Sequence, residues 1–542
     1  MTRFWVCAVF VLCLVPALAW GQKVEEKGLP DLDKAVELQL AAETLADLER
    51  IVESCEKAIE GGLNADNNKF AQKLISSTLL EHAKRITASI FERQPPDPRW
   101  QTLQKNALRD LDKALKHDTS SAEIYSLRAK LYALPGGDRG EGLKSASEAV
   151  QLLKDDPEAL AGALLLRGRL RDDPEQQLAD FNAAVKADPK NVEAWQTRAL
   201  YYLSQGDNER AIADFQELLD KDGANVQARF AIAAALMNLQ KYDEALKHLD
   251  QGIEANPNVP VGHTLRARIH LQQKDFEAAL GDLNRALEIQ PRDLESLLLR
   301  AGLYADQNKL TVAKSDVDRV LQLRPGLPQA LFLRSSIFAA QKKYAEAIAD
   351  ASRLLGGDTK SVEMRLHIAS LYVAGGWPRK GIALVEEILK SDAENSQALR
   401  ARGDAYLAIG KHAEAIADFE KSLKAAPDNS GILNNLAWVL ATSPDDKLRN
   451  AKRSIELGTK ACEATAYKAP HILSTLAAGY AESGDFETAL KWSAKAVELG
   501  EGETKEQLQK ELDSYKEKKP VRELQQTEEK PNPPVIGADL EL

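Results

Sequence analysis

The chain has 542 residues, too many for one compact core, so either three or four domains or a repeat array must accommodate them. Hydrophobic residues make up 44%, charged residues 28% and aromatics 6%, a balance that suits a long helical protein better than a sheet protein. The net charge of −11 and the absence of a basic stripe argue against a nucleic-acid partner, because nothing would release counterions from a phosphate backbone.

The chain opens MTRFWVCAVFVLCLVPALAWGQKVEEK, with Arg3 ahead of an uncharged run from Phe4 to Gly21 and small residues at Ala17, Ala19 and Gly21. Residues 1–21 are therefore expected to be a secretory signal peptide, cut after Gly21 or Ala19, which predicts an exported protein, periplasmic or secreted. The alternative is an uncleaved membrane anchor, but the run is barely long enough to span a bilayer and Pro16 interrupts it. Leu12 stands before Cys13 where a lipid-attachment motif needs a small residue. Cys7 and Cys13 fall in this leader, and the remaining Cys55 and Cys462 are too few and too far apart for a disulfide framework or a metal knuckle.

Residues 22–97 read as helices, for example "LADLERIVESCEKAIEGG", and end at the Pro-Pro-Asp-Pro of 95–98; they are expected to form a degenerate helical cap. Beyond them the chain repeats itself. Rows of 34 residues end at Pro189, Gly223, Pro257, Pro291, Pro325, Thr359, Ala393 and Pro427 without insertion or deletion. Two columns are uniformly small: one runs from Ala199 and Ala233 to Gly403, the other from Ala211 and Ala245 to Ala415. Helices must approach closely there, since a large side chain would cost about 1–3 kcal/mol in overpacking. Turn sequences such as "SQGDN" and "QQKDF" separate the columns, so each row predicts a helix, a turn, a second helix and a break.

This layout resembles the tetratricopeptide repeat, a 34-residue helical hairpin with small residues at these columns, a nearby aromatic such as Trp195 or Tyr406, and a closing proline. Looser copies extend the resemblance over residues 98–500, about eleven to twelve repeats, in strict phase over 190–427. It implies an all-α fold, a right-handed superhelical solenoid whose concave face, lined by the first helix of each hairpin, receives a peptide or a partner helix.

One position before the first small column stand Arg198, Arg266, Arg300, Arg334 and Arg402, and sixteen residues after each stand Asp214, Asp282, Asp316, Asp350 and Asp418. The other two strict rows lack both partners, with Ile232 and His248 in one and Ile368 and Leu384 in the other. That joint presence and absence predicts ion pairs within each hairpin, structural rather than anion-binding, because a guanidinium already held by a carboxylate is a poor ligand site.

Catalytic signatures are not found. The histidines include no HExxH, "GGDRGEGLKS" has Leu143 where a phosphate loop needs lysine, and the pairs Asp155-Asp156, Asp172-Asp173 and Asp445-Asp446 read as helix caps. No enzyme activity, cofactor, metal or small-molecule substrate is expected, which leaves the surface. The groove positions are apolar at Phe230, Met237, Leu271, Leu298, Phe332, Leu366 and Val373, an expected binding stripe for a peptide or protein. The intervening column, Leu200 to Asp404, lacks the Asn and Lys that a carboxylate clamp needs. A passive spacer whose groove is filled by its own segments is the alternative function. Residues 501–542, charged and then proline-rich in "EEKPNPPVIGADLEL", are expected to be disordered.

Overall fold

The computed structural model describes residues 26–92, 98–355, 361–523 and 529–531; the leader call and the last residues of the tail lie outside them. The described residues are helical throughout, without strands, and divide into a unit ending at Ala255 and a unit beginning at Asn256.

In the first unit consecutive helices pair as hairpins: α1 (Leu29–Ala41) with α2 (Leu45–Gly61), and α3 (Ala65–Phe91) with α4 (Trp100–Leu115). Next come α5 (Ala122–Tyr132) with α6 (Arg139–Leu152), and α7 (Pro157–Leu170) with α8 (Pro174–Ala187). The unit closes with α9 (Val192–Ser204) and α10 (Asn208–Lys221), then α11 (Val226–Asn238) and α12 (Tyr242–Ala255). The helix after the Pro98 break, α4, packs along α3 instead of opening a new hairpin. Hairpin stacking thus starts within the segment expected to be a cap.

The second unit continues with α13 (Pro260–Gln272) and α14 (Phe276–Ile289), α15 (Leu294–Asp306) and α16 (Leu310–Leu323), and α17 (Pro328–Ala340) and α18 (Tyr344–Leu355). It goes on with α19 (Val362–Gly375) and α20 (Pro378–Ser391), then α21 (Ser396–Ala408) and α22 (His412–Ala425). Last come α23 (Ser430–Thr442) with α24 (Ala451–Ala464), α25 (Pro470–Glu482) with α26 (Phe486–Leu499), and the unpaired α27 (Gly502–Lys516).

Local chemistry sets these boundaries. Asn191, Asp207, Asn225, Asp275, Asp293, Asn395 and Asn429 accept a hydrogen bond from the backbone two or three residues on, which satisfies free N–H groups at the helix start. Asp156, Asp173 and Asp445 cap in the same way. Inside each strict-phase hairpin the chain reverses through one left-handed residue: Gly206, Gln240, Lys274, Asn308, Lys342, Gly376 and Gly410. The small columns leave no room for larger side chains: a Cβ on Gly403 would lie 2.6 Å from the Phe419 ring of the facing helix, and one on Gly381 would lie 2.9 Å from Ala369 O. Within each unit, neighbouring hairpins bury Ala, Leu, Ile and Val in shared clusters, as between the hairpins of α17–α18 and α19–α20.

Residues 502–516 depart from the expected disorder. Their composition is highly charged, yet Leu508, Leu512 and Tyr515 form a stripe at helical spacing, and α27 buries it against α25 and α26. No helix among the described residues is long and apolar enough to cross a membrane.

Candidate functional site

The paired columns become a ladder of bidentate forks. Arg198 donates to Asp214 at 2.8 and 2.8 Å, Arg266 to Asp282 at 2.9 and 2.7 Å, and Arg300 to Asp316 at 2.7 and 2.7 Å. Arg334 holds Asp350 at 2.6 and 2.7 Å, and Arg402 holds Asp418 at 2.7 and 2.8 Å. All five aspartates are buried. The structure adds an arm that the columns did not suggest: the remaining Nη1 reaches back sixteen residues, from Arg198 to Asn182, Arg300 to Asn284 and Arg334 to Asp318. One guanidinium thereby joins the second helices of two successive hairpins. At Arg128, whose column partner is Ser145, the guanidinium takes Asp112 and Glu141 as well. The carboxylate bonds dominate the upward pKa shifts of Arg198, Arg300, Arg334 and Arg402, so these cations are held by their partners and are not offered to a ligand.

The apolar stripe is a different matter. In the first unit Phe230 is 4% exposed, because its ring fills the space over Gly252 of α12, where a Cβ would approach the ring to 2.4 Å; Met237 is half-buried. In the second unit Leu271, Leu298, Leu366 and Val373 are half-buried, and Leu298 and Leu366 pack onto core clusters of their own hairpins. Phe332 is 48% exposed and lies beside the His367 ring, with centroids 5.5 Å apart. The seven positions therefore do not form one exposed apolar stripe. A column fixes which way a side chain leaves the helix, whereas the residue facing it decides whether a core void draws it in.

The same first-helix columns lead to a better-formed site. The column of Phe332 and Leu366 runs on to Arg400, Asn434 and Ser474, and that of Ser336 and Asp404 runs on to Trp438. There the first helices α21, α23 and α25 meet α27 around a cavity of about 330 Å³. Its walls carry Asp404 and Leu407, Asn435 and Trp438, Ser474, and Gln507, Leu508 and Glu511. Asn435 Nδ2 donates to Asp404 at 2.7 Å, and Ser474 donates to Glu511 at 2.5 Å. Burial pushes the Asp404 carboxyl up to about 6, against the opposing pull of Arg400 and the Asn435 bond. Glu511 is also raised, first by burial, with bonds from Ser474 and Gln507 opposing and the charge of Glu523 adding to the shift.

The chain beyond α27 folds back along the hairpin ends. Glu523 pairs its N–H with Thr442 O and accepts from the Trp438 indole, while Arg522 and Arg449 both hold Glu482, at 2.7 and 2.8 Å. Further on, Lys530 N donates to Gly376 O at 3.0 Å, and the Arg379 N–H donates to Glu529 at 2.6 Å. The described residues beyond α27 thus lie near the ends of α19 and α23, with Glu523 also on the Trp438 indole, while α27, itself part of the tail, walls one side of the first-helix face.

Family models described as tetratricopeptide repeat match residues 181–213, 202–269, 262–293, 298–361 and 366–430, in the phase of the hairpins above. This is a tetratricopeptide repeat protein. No curated protein matches the chain. Among solved structures it is similar to a tetratricopeptide repeat protein from Parabacteroides merdae ATCC 43184, at 19% identity, covering 46% of this chain and 98% of that one with a TM-score of 0.34. Yeast Tom70 matches at 14% identity over 90% of this chain and 95% of its own, TM-score 0.38. YrrB, described as a TPR protein with an unusual peptide-binding site, matches at 18% identity over 35% of this chain and 97% of its own, TM-score 0.29. As a tetratricopeptide array the chain is a protein-interaction scaffold.

His263 and His270, seven residues apart on α13, both turn toward Asp282, at 3.3 and 3.8 Å, beside Arg266. Among the described residues no group of three or more His, Cys, Asp and Glu is placed to hold a metal. Cys55 and Cys462 are buried in separate units, and burial pushes their thiols up to about 12 and about 11.

Proposed function

We propose that this protein is an exported, non-catalytic scaffold that binds a peptide or an extended protein segment along the first-helix face of its C-terminal hairpins. The observation that carries the reading is the cavity among α21, α23, α25 and α27. Its Asp404, Asn435, Trp438 and Gln507 take no part in the arginine ladder or the small-residue columns that hold the hairpins together. A pocket of this size with a few converging polar groups is a usual form of binding site. The signal-peptide reading of residues 1–21 supports export.

The rival reading, a passive spacer with its groove filled by its own tail, draws on the tail contacts at Thr442 and Gly376. It also draws on α27, a tail segment that walls one side of the first-helix face; against it, a cavity of about 330 Å³ is left beside α27. Selection of peptides from a random display library against the purified protein tests the proposal. Selected peptides should lose at least tenfold in affinity to Asn435→Ala combined with Gln507→Ala, with helical content and melting unchanged. Binding that survives that pair and also Phe332→Asp would remove the first-helix face as the site.

A further inference from the structure

Buried carboxylates in the second unit come with their own cation: Asp282, Asp316, Asp350 and Asp418 are each forked by an arginine. Two carboxylates lining the cavity lack such a fork: among the described residues Glu511 has no cation and Asp404 only a distant one. Glu511 is 8% exposed and accepts from Ser474 and Gln507, both neutral, and among the described residues it has no ion-pair partner. Asp404 has Arg400 Nε at 3.9 Å, too far for a hydrogen bond, while the Arg400 guanidinium lies against Gly431, where a Cβ would meet it at 2.9 Å. Asp404 is surrounded by protein, yet 38% of its side chain still reaches solvent, so a ligand entering the cavity meets it. Asn434, also on the cavity wall, has its buried Oδ1 without a hydrogen-bond donor.

A buried carboxylate without a counter-charge is costly, and a cation rich in N–H donors entering the cavity would relieve Glu511 and meet the solvent-reaching side of Asp404. The walls add a second requirement. Leu407, Leu508 and the Trp438 ring offer apolar surface beside the acids, which suits a charge carried on an alkyl stem and an aromatic face next to it. We infer that the cavity takes the lysine or arginine side chain of a basic peptide bound along the first-helix face. The inference rests on the peptide-binding reading and specifies its chemistry. The cavity interrupts the same columns that a chain running along α21, α23 and α25 would follow, so a side chain reaches it from such a peptide without a detour.

The test uses fluorescein-labelled octapeptides of alternating alanine and lysine, the same peptide with Nε-acetyl-lysine, and spermidine as competitor, read by anisotropy with the purified protein. The lysine peptide should bind at least tenfold more tightly than the acetylated one. Glu511→Gln, isosteric and uncharged, should weaken it at least fivefold, and so should Asp404→Asn, whose half-exposed side chain makes misfolding no explanation. Exposed acids on α27 and at its C-cap, changed in Asp513→Asn and Glu517→Gln, should leave affinity unaltered. Equal binding of lysine and acetyl-lysine peptides would overturn the cation assignment while leaving peptide binding intact. Undiminished binding to both Glu511→Gln and Asp404→Asn would place the cation elsewhere, and failure of the lysine peptide to bind at all while library-selected peptides do would exclude it. Displacement by equimolar spermidine would make a free polyamine, not a peptide, the occupant.

Discussion

Arg334 donates through Nε and Nη2 to the two carboxylate oxygens of Asp350, at 2.6 and 2.7 Å, and that carboxylate is 4% exposed. Its third arm, Nη1 to Asp318 at 2.8 Å, reaches the second helix of the preceding hairpin. The fork therefore closes one hairpin and fastens it to its neighbour. Removing either partner strands a buried charge, so Arg334→Leu or Asp350→Leu should each lower stability by about 3–5 kcal/mol. The double change should recover most of that loss, as the rows with Ile232 and Ile368 suggest. A double-mutant cycle measured by chemical denaturation checks this, and a coupling near zero would contradict it.

Backbone handedness at the hairpin turns gives a cleaner test, because no contact is involved. Gly206 has φ of 75° and a Cβ there would meet nothing within 4 Å, so Gly206→Ala probes the left-handed conformation alone. It should cost about 1–2 kcal/mol. Asn308, at φ of 57°, already carries that strain, and Asn308→Gly should be neutral or stabilising in thermal melts.

The repeat was legible because every row imposes the same constraints, and small residues, paired charges and turn positions recur 34 residues apart until chance is averaged away. The arginine forks followed from joint presence and absence. Their third arm did not, since the residues sixteen back, Asn182, Asn284 and Asp318, vary in type. Phe230 misled because the hole it fills is made by Gly252 on another helix. The cavity escaped for two reasons. Six extra residues between the starts of α23 and α25, 40 apart where strict rows are 34, break the phase that holds over 190–427. The fourth wall, α27, is a narrow apolar stripe in a charged segment, and composition outweighed periodicity there.

Asp404 sets a pH dependence with two opposite signs. Its folded-state carboxyl titrates near 6, above the ordinary 3.8, so between those values the folded chain holds the proton more tightly than the unfolded one. The stability this group contributes is full below about 3.8 and is lost as pH rises through about 6. Affinity for the lysine peptide should move the other way, strengthening as pH rises through about 6 while Asp404 takes its charge. Asp404→Asn should flatten both profiles between pH 5 and 7 on the scale set by that titration. A binding profile that keeps its slope in the variant would assign the titration to another group.

Export makes a prediction about mass. Protein recovered from cells should begin near Gln22 or Trp20, read by mass spectrometry of the intact chain. An intact Met1 on a cytoplasmic protein would contradict the localisation.

The central claim is that a peptide lies on α21, α23, α25 and α27. Hydrogen exchange on the protein with and without a library-selected peptide addresses it most directly, since a bound chain slows opening of the helices it covers. The account predicts added protection in residues 396–408, 430–442, 470–482 and 502–516, with the second helices α22 and α24 unchanged. Protection confined to the second helices or to another part of the array, with none around Asn435 and Glu511, would contradict it.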